Sequence, residues 1–289
     1  MAGSLHFEAP TALEYFAALV ADDTSFSVVE AAVSVAQDEY PRLDPQDTLA
    51  QIDGLADRLR KRLHADVAPM QKLRLLNRYF FQELGFAGNV NDYYDPRNSY
   101  LSEVLATRRG IPITLALLYI EIASQIGLAA HGVSFPGHFL VKLRMPRGEV
   151  VIDPFSGQSL SREDLDERLA PYRRQRGLVG EFEAPLGLFL QSAPPRDVIA
   201  RLLRNLKEIH RSAADWPRLV AVQDRLVVLL PQGWEERRDR GLAFLALGRS
   251  QLAADDLAAY VEHRPDADDA PALRLRLSEL RSQARPRLH

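Results

Sequence analysis

The chain has 289 residues, 46% of them apolar, a formal net charge of −3 and no cysteine. That length allows one large domain or two moderate ones with a sizeable core. The near-neutral charge exerts no global pull toward nucleic acid or acidic lipid, and the missing cysteine excludes disulfides, thiolate metal sites and a cysteine nucleophile.

The first hundred residues are patterned as helices. Phe16, Leu19 and Val20 open one apolar face, and Val28, Val29, Ala32 and Val33 continue at helical spacing. Leu49, Ile52, Leu55, Leu59 and Leu63 form a stripe over 48–63, and Leu73, Leu76, Tyr79, Phe80 and Leu84 form another that Gly85 stops. The basic runs at 58–64 and 171–177 are solvated faces on this reading. "GFAGNVNDYYDPRNSYLSEVL" (85–105) is an ordered loop feeding a short helix. In "RRGIPITLALLYIEIASQIG" (108–127), Gly110 precedes a helix with Pro112 in its first turn and Gly127 as its stop. Glu121, Ser124 and Gln125 interrupt the apolar run, so it is a buried helix and not a membrane span. No basic segment followed by an apolar core opens the sequence, and the expectation is a soluble cytoplasmic protein.

Strands are expected at 129–135, 138–144 and 149–153, separated by Pro136-Gly137 and by "MPRG". "SREDLDERLA" (161–170) begins as a capped helix. "SAPPRD" (192–197) marks a boundary, giving an α+β domain over 1–191 and an all-α region over 192–289. In the latter, Pro231 and Pro265 end helices at the tetratricopeptide spacing of about 34 residues. That register aligns the break at Ala214-Asp215 with Gly248-Arg249. Gly241, Phe244, Ala253 and Leu257 suit the pattern, whereas Lys207 and His210 stand where small and aromatic residues belong.

The hairpin 138–153 yields to parity. With a two-residue loop, opposed positions sum to an odd number, so Phe139, Val141, Leu143, Val150 and Ile152 share one apolar face. His138 and Asp153 then share the other. A carboxylate beside an imidazole fixes its tautomer, which is the orienting half of a catalytic triad. The plainer alternative is a structural His138 bonded to backbone, with Asp153 capping the "DPF" turn. The seven histidines are scattered without metal-ligand spacing, so neither metal nor cofactor is expected.

The run from "FAGNVNDYYDPRNSYLSEVLATRRGIPITLALLYIEIASQIG" through "PGHFLVKL" to "VIDPFSG", with "LLRNLKEIH" and "RRDRGLAFLALG" later, resembles the bacterial invasion-regulator Sir-B type family. That family combines a transglutaminase-like domain with a tetratricopeptide-like tail. The resemblance implies a papain-type core, with Cys opening a helix and His and Asp on the strands that follow. Gly110 and Ala116 keep the helix pattern, His138 and Asp153 fall at the His and Asp positions, and Pro112 occupies the Cys position.

His and Asp alone cannot run acyl transfer. The expected function is therefore binding of a protein or peptide, in a cleft with Asn98, Ser99, Tyr100, Arg109, Pro112, His138 and Asp153. The alternative role for Asn98 and Tyr100 is loop ordering, and for Arg109 capping of the preceding short helix. The rival is a hydrolase or acyl transferase with a replacement hydroxyl: Ser99 and Ser102 are open to it, whereas Thr114 would point roughly 200° from Pro112. Direct DNA contact is not expected, since no recognition-helix pattern accompanies the acidic balance.

Overall fold

The computed structural model describes residues 10–22, 26–64, 66–178, 180 and 184–284. They fall into two compact units, Ser25–Leu202 and Met1–Thr24 with Leu203–His289. The helix α1 (Ala12–Leu19) belongs to the second unit. Thr11 and Glu14 cap it reciprocally, and its buried Phe16 lies under the Arg225 guanidinium at 4.9 Å. That packing groups α1 with the C-terminal helices, a division that differs from the expected 1–191 domain.

The first unit begins with α2 (Val28–Ser34), α3 (Pro45–Arg60) and α4 (Pro69–Asn77). Asp44 accepts from the Gln46 N–H at 2.9 Å and Pro45 fills the first position of α3, which buries Ile52, Leu55 and Leu59. The next stripe is helical in two forms. After α4 the chain widens into a π turn over Arg78–Glu83, which brings the sequence neighbours Tyr79 and Phe80 into the core, and Gly85 ends it at φ +72°. Two short strands, β1 (Ala87–Gly88) and β2 (Arg109–Gly110), pair in parallel on either side of α5 (Leu101–Thr107).

From β2 the chain enters α6 (Pro112–Gln125), whose Ile113 to Tyr119 are all buried; Gly127 follows it at φ +77°. An antiparallel meander comes next, with β3 (Ala130–Val133), β4 (Leu140–Met145), β5 (Gly148–Asp153) and β6 (Gln158–Leu160) in spatial order. Met145 pairs with Gly148 and Val141 with Ile152, so the β4–β5 register is the odd-sum one with Pro146-Arg147 as its loop. Phe139, Val141, Leu143 and Ile152 are buried on one face, and α6 packs against β3 and β4 there. The other face is more apolar at its centre than its polar ends indicate. Val133, Leu140 and Val151 are covered by Leu165 and Leu169 of α7 (Arg162–Gln175), which Ser161 and Asp164 cap reciprocally. The unit closes through α8 (Leu186–Phe189) into α9 (Pro195–Ser212), within which the two units meet in sequence.

The second unit continues with α10 (Trp216–Leu229), α11 (Trp234–Ala246), α12 (Ser250–His263) and α13 (Ala270–Ala284). The expected register holds in backbone detail. Ala214 and Gly248 both adopt left-handed conformations, φ 52° and 70°, immediately before the N-caps of α10 and α12. Gly241 is needed where it stands, because a Cβ there would lie 2.9 Å from Leu257 Cγ. At the equivalent position of the first repeat, Lys207 departs from the pattern for an electrostatic reason: it is buried and meets Glu236 and Asp239 of α11, each at 2.6 Å. Ala214 carries a Cβ that left-handed backbone penalises, so Ala214→Gly should stabilise this unit by about 0.5–1 kcal/mol. Chemical denaturation followed by tryptophan fluorescence checks it, since both tryptophans, Trp216 and Trp234, lie here.

Candidate functional site

Phe135-Pro136-Gly137-His138 forms a turn in which the His138 N–H donates to Phe135 O at 3.0 Å and Gly137 takes φ +71°. It delivers His138 to the end of β4, against Asp153 at the end of β5. His138 Nε2 and Asp153 Oδ1 are 2.8 Å apart, with Asp153 buried and His138 23% exposed. The same Oδ1 accepts from the Phe155 N–H at 2.9 Å, and Oδ2 accepts from Arg168 of α7 at 3.0 Å. Asp153 thus holds the imidazole and caps the "DPF" turn at once. Burial by itself would raise its carboxyl, but the His138 hydrogen bond and charge, Arg168 and the Phe155 N–H outweigh it and hold Asp153 well below the usual carboxylate range. An ionised Asp153 only accepts, so Nε2 carries the proton and Nδ1 is the nitrogen left for a further group.

The pair is tied to the start of α6 by backbone. Phe155 O accepts from the Gly88 N–H at 3.0 Å, Gly88 pairs with Gly110, and Asn89 N–H donates to Gly110 O at 3.0 Å. Gly88 permits this approach, since a Cβ there would fall 2.3 Å from the Phe155 ring. Pro112, two residues beyond Gly110, is buried in the first turn. Thr114 is spent on the helix start: its Oγ1 accepts from the Ile111 N–H at 3.1 Å and lies 2.8 Å from Asn98 O. The Ser99 and Ser102 hydroxyls are buried and make no hydrogen bond among the described residues.

The remaining residues expected in the cleft have structural partners. Asn98 donates to Asp92 O at 2.7 Å and Tyr93 O at 3.2 Å and accepts from Asn89 Nδ2 at 3.0 Å, which orders the loop before it. Tyr100 is buried edge-on to Tyr40. Arg109 donates to Gly85 O at 2.7 Å and to the carbonyl of Arg108, the C-cap residue of α5, at 3.0 Å, so it links two loops and reaches the end of the short helix. What the ordered loop presents is Val90, Tyr93 and Tyr94, exposed by 75%, 41% and 76%. Tyr93 packs on Phe155 with centroids 5.9 Å apart, and Phe155 meets the His138 ring at 6.4 Å. Sequence reasoning passed over Arg168, although its place three residues after Leu165 puts it on the sheet-facing side of α7. No cluster that would hold a metal ion occurs among the described residues. Among them, no helix is long and apolar enough to cross a membrane.

A family model described as transglutaminase-like superfamily matches residues 46–204, and one described as tetratricopeptide repeat matches 206–278. A UPF0162 protein of Xylella fastidiosa is 40% identical over 267 residues, covering 91% of this chain and 92% of that protein. A UPF0162 protein of Pseudomonas aeruginosa is 31% identical over 265 residues, 91% and 94% of the two chains. The Escherichia coli UPF0162 protein YchA is 26% identical over 247 residues, 84% and 87%. No solved structure gives a significant match. A paired His and Asp at the ends of adjacent strands, a buried helix entered through Gly110, and a following helical repeat are thus accompanied by matches over most of the sequence: the chain belongs to the transglutaminase-like superfamily and groups with the UPF0162 proteins.

Proposed function

We propose that this protein binds a peptide or protein segment without chemical turnover, on a transglutaminase-like scaffold of the Sir-B type whose nucleophile position is held by Pro112. The observation that carries the reading is the state of His138 and of the candidate hydroxyls. Its ring hydrogen-bonds to Asp153 alone among the described residues, while the Thr114 hydroxyl is occupied and those of Ser99 and Ser102 are buried. His138 and Asp153 then serve as a rigid polar wall beside the aromatic loop, the combination of orienting polar groups and apolar surface that ligand sites use. The tetratricopeptide repeat fits the same role, since stacked helix pairs present extended binding surfaces.

Retention of random acetylated pentapeptides on the immobilised full-length protein tests this. Wild type should retain a subset that His138→Ala combined with Tyr93→Ala releases. Equal retention by the double variant would show that the peptides bind elsewhere.

A further inference from the structure

Arg201 on α9 is a half-buried cation with no carboxylate partner among the described residues. Its Nη1 donates to Ser134 Oγ at 2.7 Å and to Phe135 O at 3.2 Å, and its guanidinium lies over the Phe139 ring at 5.6 Å. Those contacts use one terminal nitrogen. Nε and Nη2, the side-on edge that matches a carboxylate's two oxygens, have no protein partner among the described residues. Burial lowers the guanidinium from its ordinary value, Tyr93 acting the other way.

A chain of contacts leads from Arg201 to Tyr93. Arg201 Nη1 and the His138 N–H both donate to Phe135 O. The His138 ring meets Phe155, Phe155 meets Tyr93, and Tyr93 is near enough to Arg201 for each to influence the other's ionisation. The Arg201 guanidinium and His138 thus meet at Phe135 O, and the imidazole and the two aromatic rings follow in contact.

We propose that Arg201 anchors a carboxylate subsite beside His138, and that its ligand is the free C-terminus of a peptide ending in an apolar residue. This rests on the peptide-binding reading of the same site. The charge count favours a monoanion over a phosphate: Arg168, the other guanidinium close to His138, is already paired with Asp153. Phe155 and Tyr93 call for an apolar group beside the carboxylate. A C-terminal residue carries both, whereas an internal Asp or Glu carries only the charge.

The test compares acetylated random pentapeptides as free acids and as C-terminal amides on the full-length protein. Free acids should be retained on the order of tenfold better, the discrimination a charge-assisted bidentate pair provides. Their last residues should be enriched in Phe, Leu and Met. Arg201→Gln should level the two pools, and Arg201→Lys, which keeps the charge but not the fork, should restore only part of the difference. Tyr93→Ala, at an exposed position, removes one aromatic ring and leaves the guanidinium fork in place. It should keep the preference for acids and lose the preference for apolar ends. Equal retention of both pools by wild type overturns the subsite and leaves the peptide-binding reading standing. Retention of neither pool overturns both. Amides with internal Glu held as well as free acids would assign the edge to side-chain carboxylates and overturn the C-terminal ligand.

Discussion

Lys207→Ala should destabilise the helical unit by about 3–5 kcal/mol, because it strips the counter-charge from a buried carboxylate. Lys207 and Glu236 side chains are 8% and 6% exposed, and the Lys207 ammonium contacts both Glu236 and Asp239. Arg204 also reaches Glu236, at 2.8 Å, but its own side chain is 54% exposed and its charge is better screened. Lys207→Met with Glu236→Gln should recover most of the loss, since what costs free energy is the unpaired buried charge and not the missing attraction. Tryptophan fluorescence during denaturation separates these outcomes. A single variant with an unchanged midpoint would show that Glu236 is solvated or protonated in the folded protein.

Asp153→Ala should cost the sheet-bearing unit about 2–4 kcal/mol, since one buried carboxylate is the acceptor for three donors: the His138 ring, the Arg168 guanidinium and the Phe155 N–H. The effect depends on pH. With its folded-state pKa depressed, Asp153 contributes fully above its unfolded value of about 4, and that contribution is lost as pH falls through the folded value. Asp153→Asn should therefore flatten the acid limb of the stability curve while lowering stability near pH 7. Hydrogen exchange in β4 and β5 resolves this from changes in the helical unit. Parallel acid limbs for wild type and Asp153→Asn would mean that the carboxylate is not specially held.

The repeat shows what a periodic sequence conveys and where it stops. Its period placed Ala214 against Gly248 and Lys207 against Gly241, and the backbone keeps that alignment even where the residue types differ. The reason for Lys207 was not legible, because its partners Glu236 and Asp239 sit two helices further on, in α11, among many acids of the same type. In the first unit, the parity of the hairpin carried His138 and Asp153 to one face without any knowledge of the fold. The β1–β2 pair was invisible by contrast, since two-residue strands have no alternation to detect. The strand β6, Gln158–Leu160, is similarly too short and polar to announce itself. The hydrogen-bonding capacity that suggests Asn98 and Arg109 for a cleft also serves to order loops. Arg201 reaches the Phe135–His138 turn only through contacts that span more than sixty positions of sequence.

On the proposed reading, the site keeps its orienting His–Asp pair without a working nucleophile among the described residues. Incubation of the full-length protein with a fluorophosphonate, followed by intact-mass measurement, tests it most directly. Wild type should keep an unmodified mass, because the hydroxyls of Ser99 and Ser102 are buried and that of Thr114 is held by the start of α6. A stoichiometric adduct that His138→Ala abolishes, and that maps to Ser99 or Ser102, would contradict it.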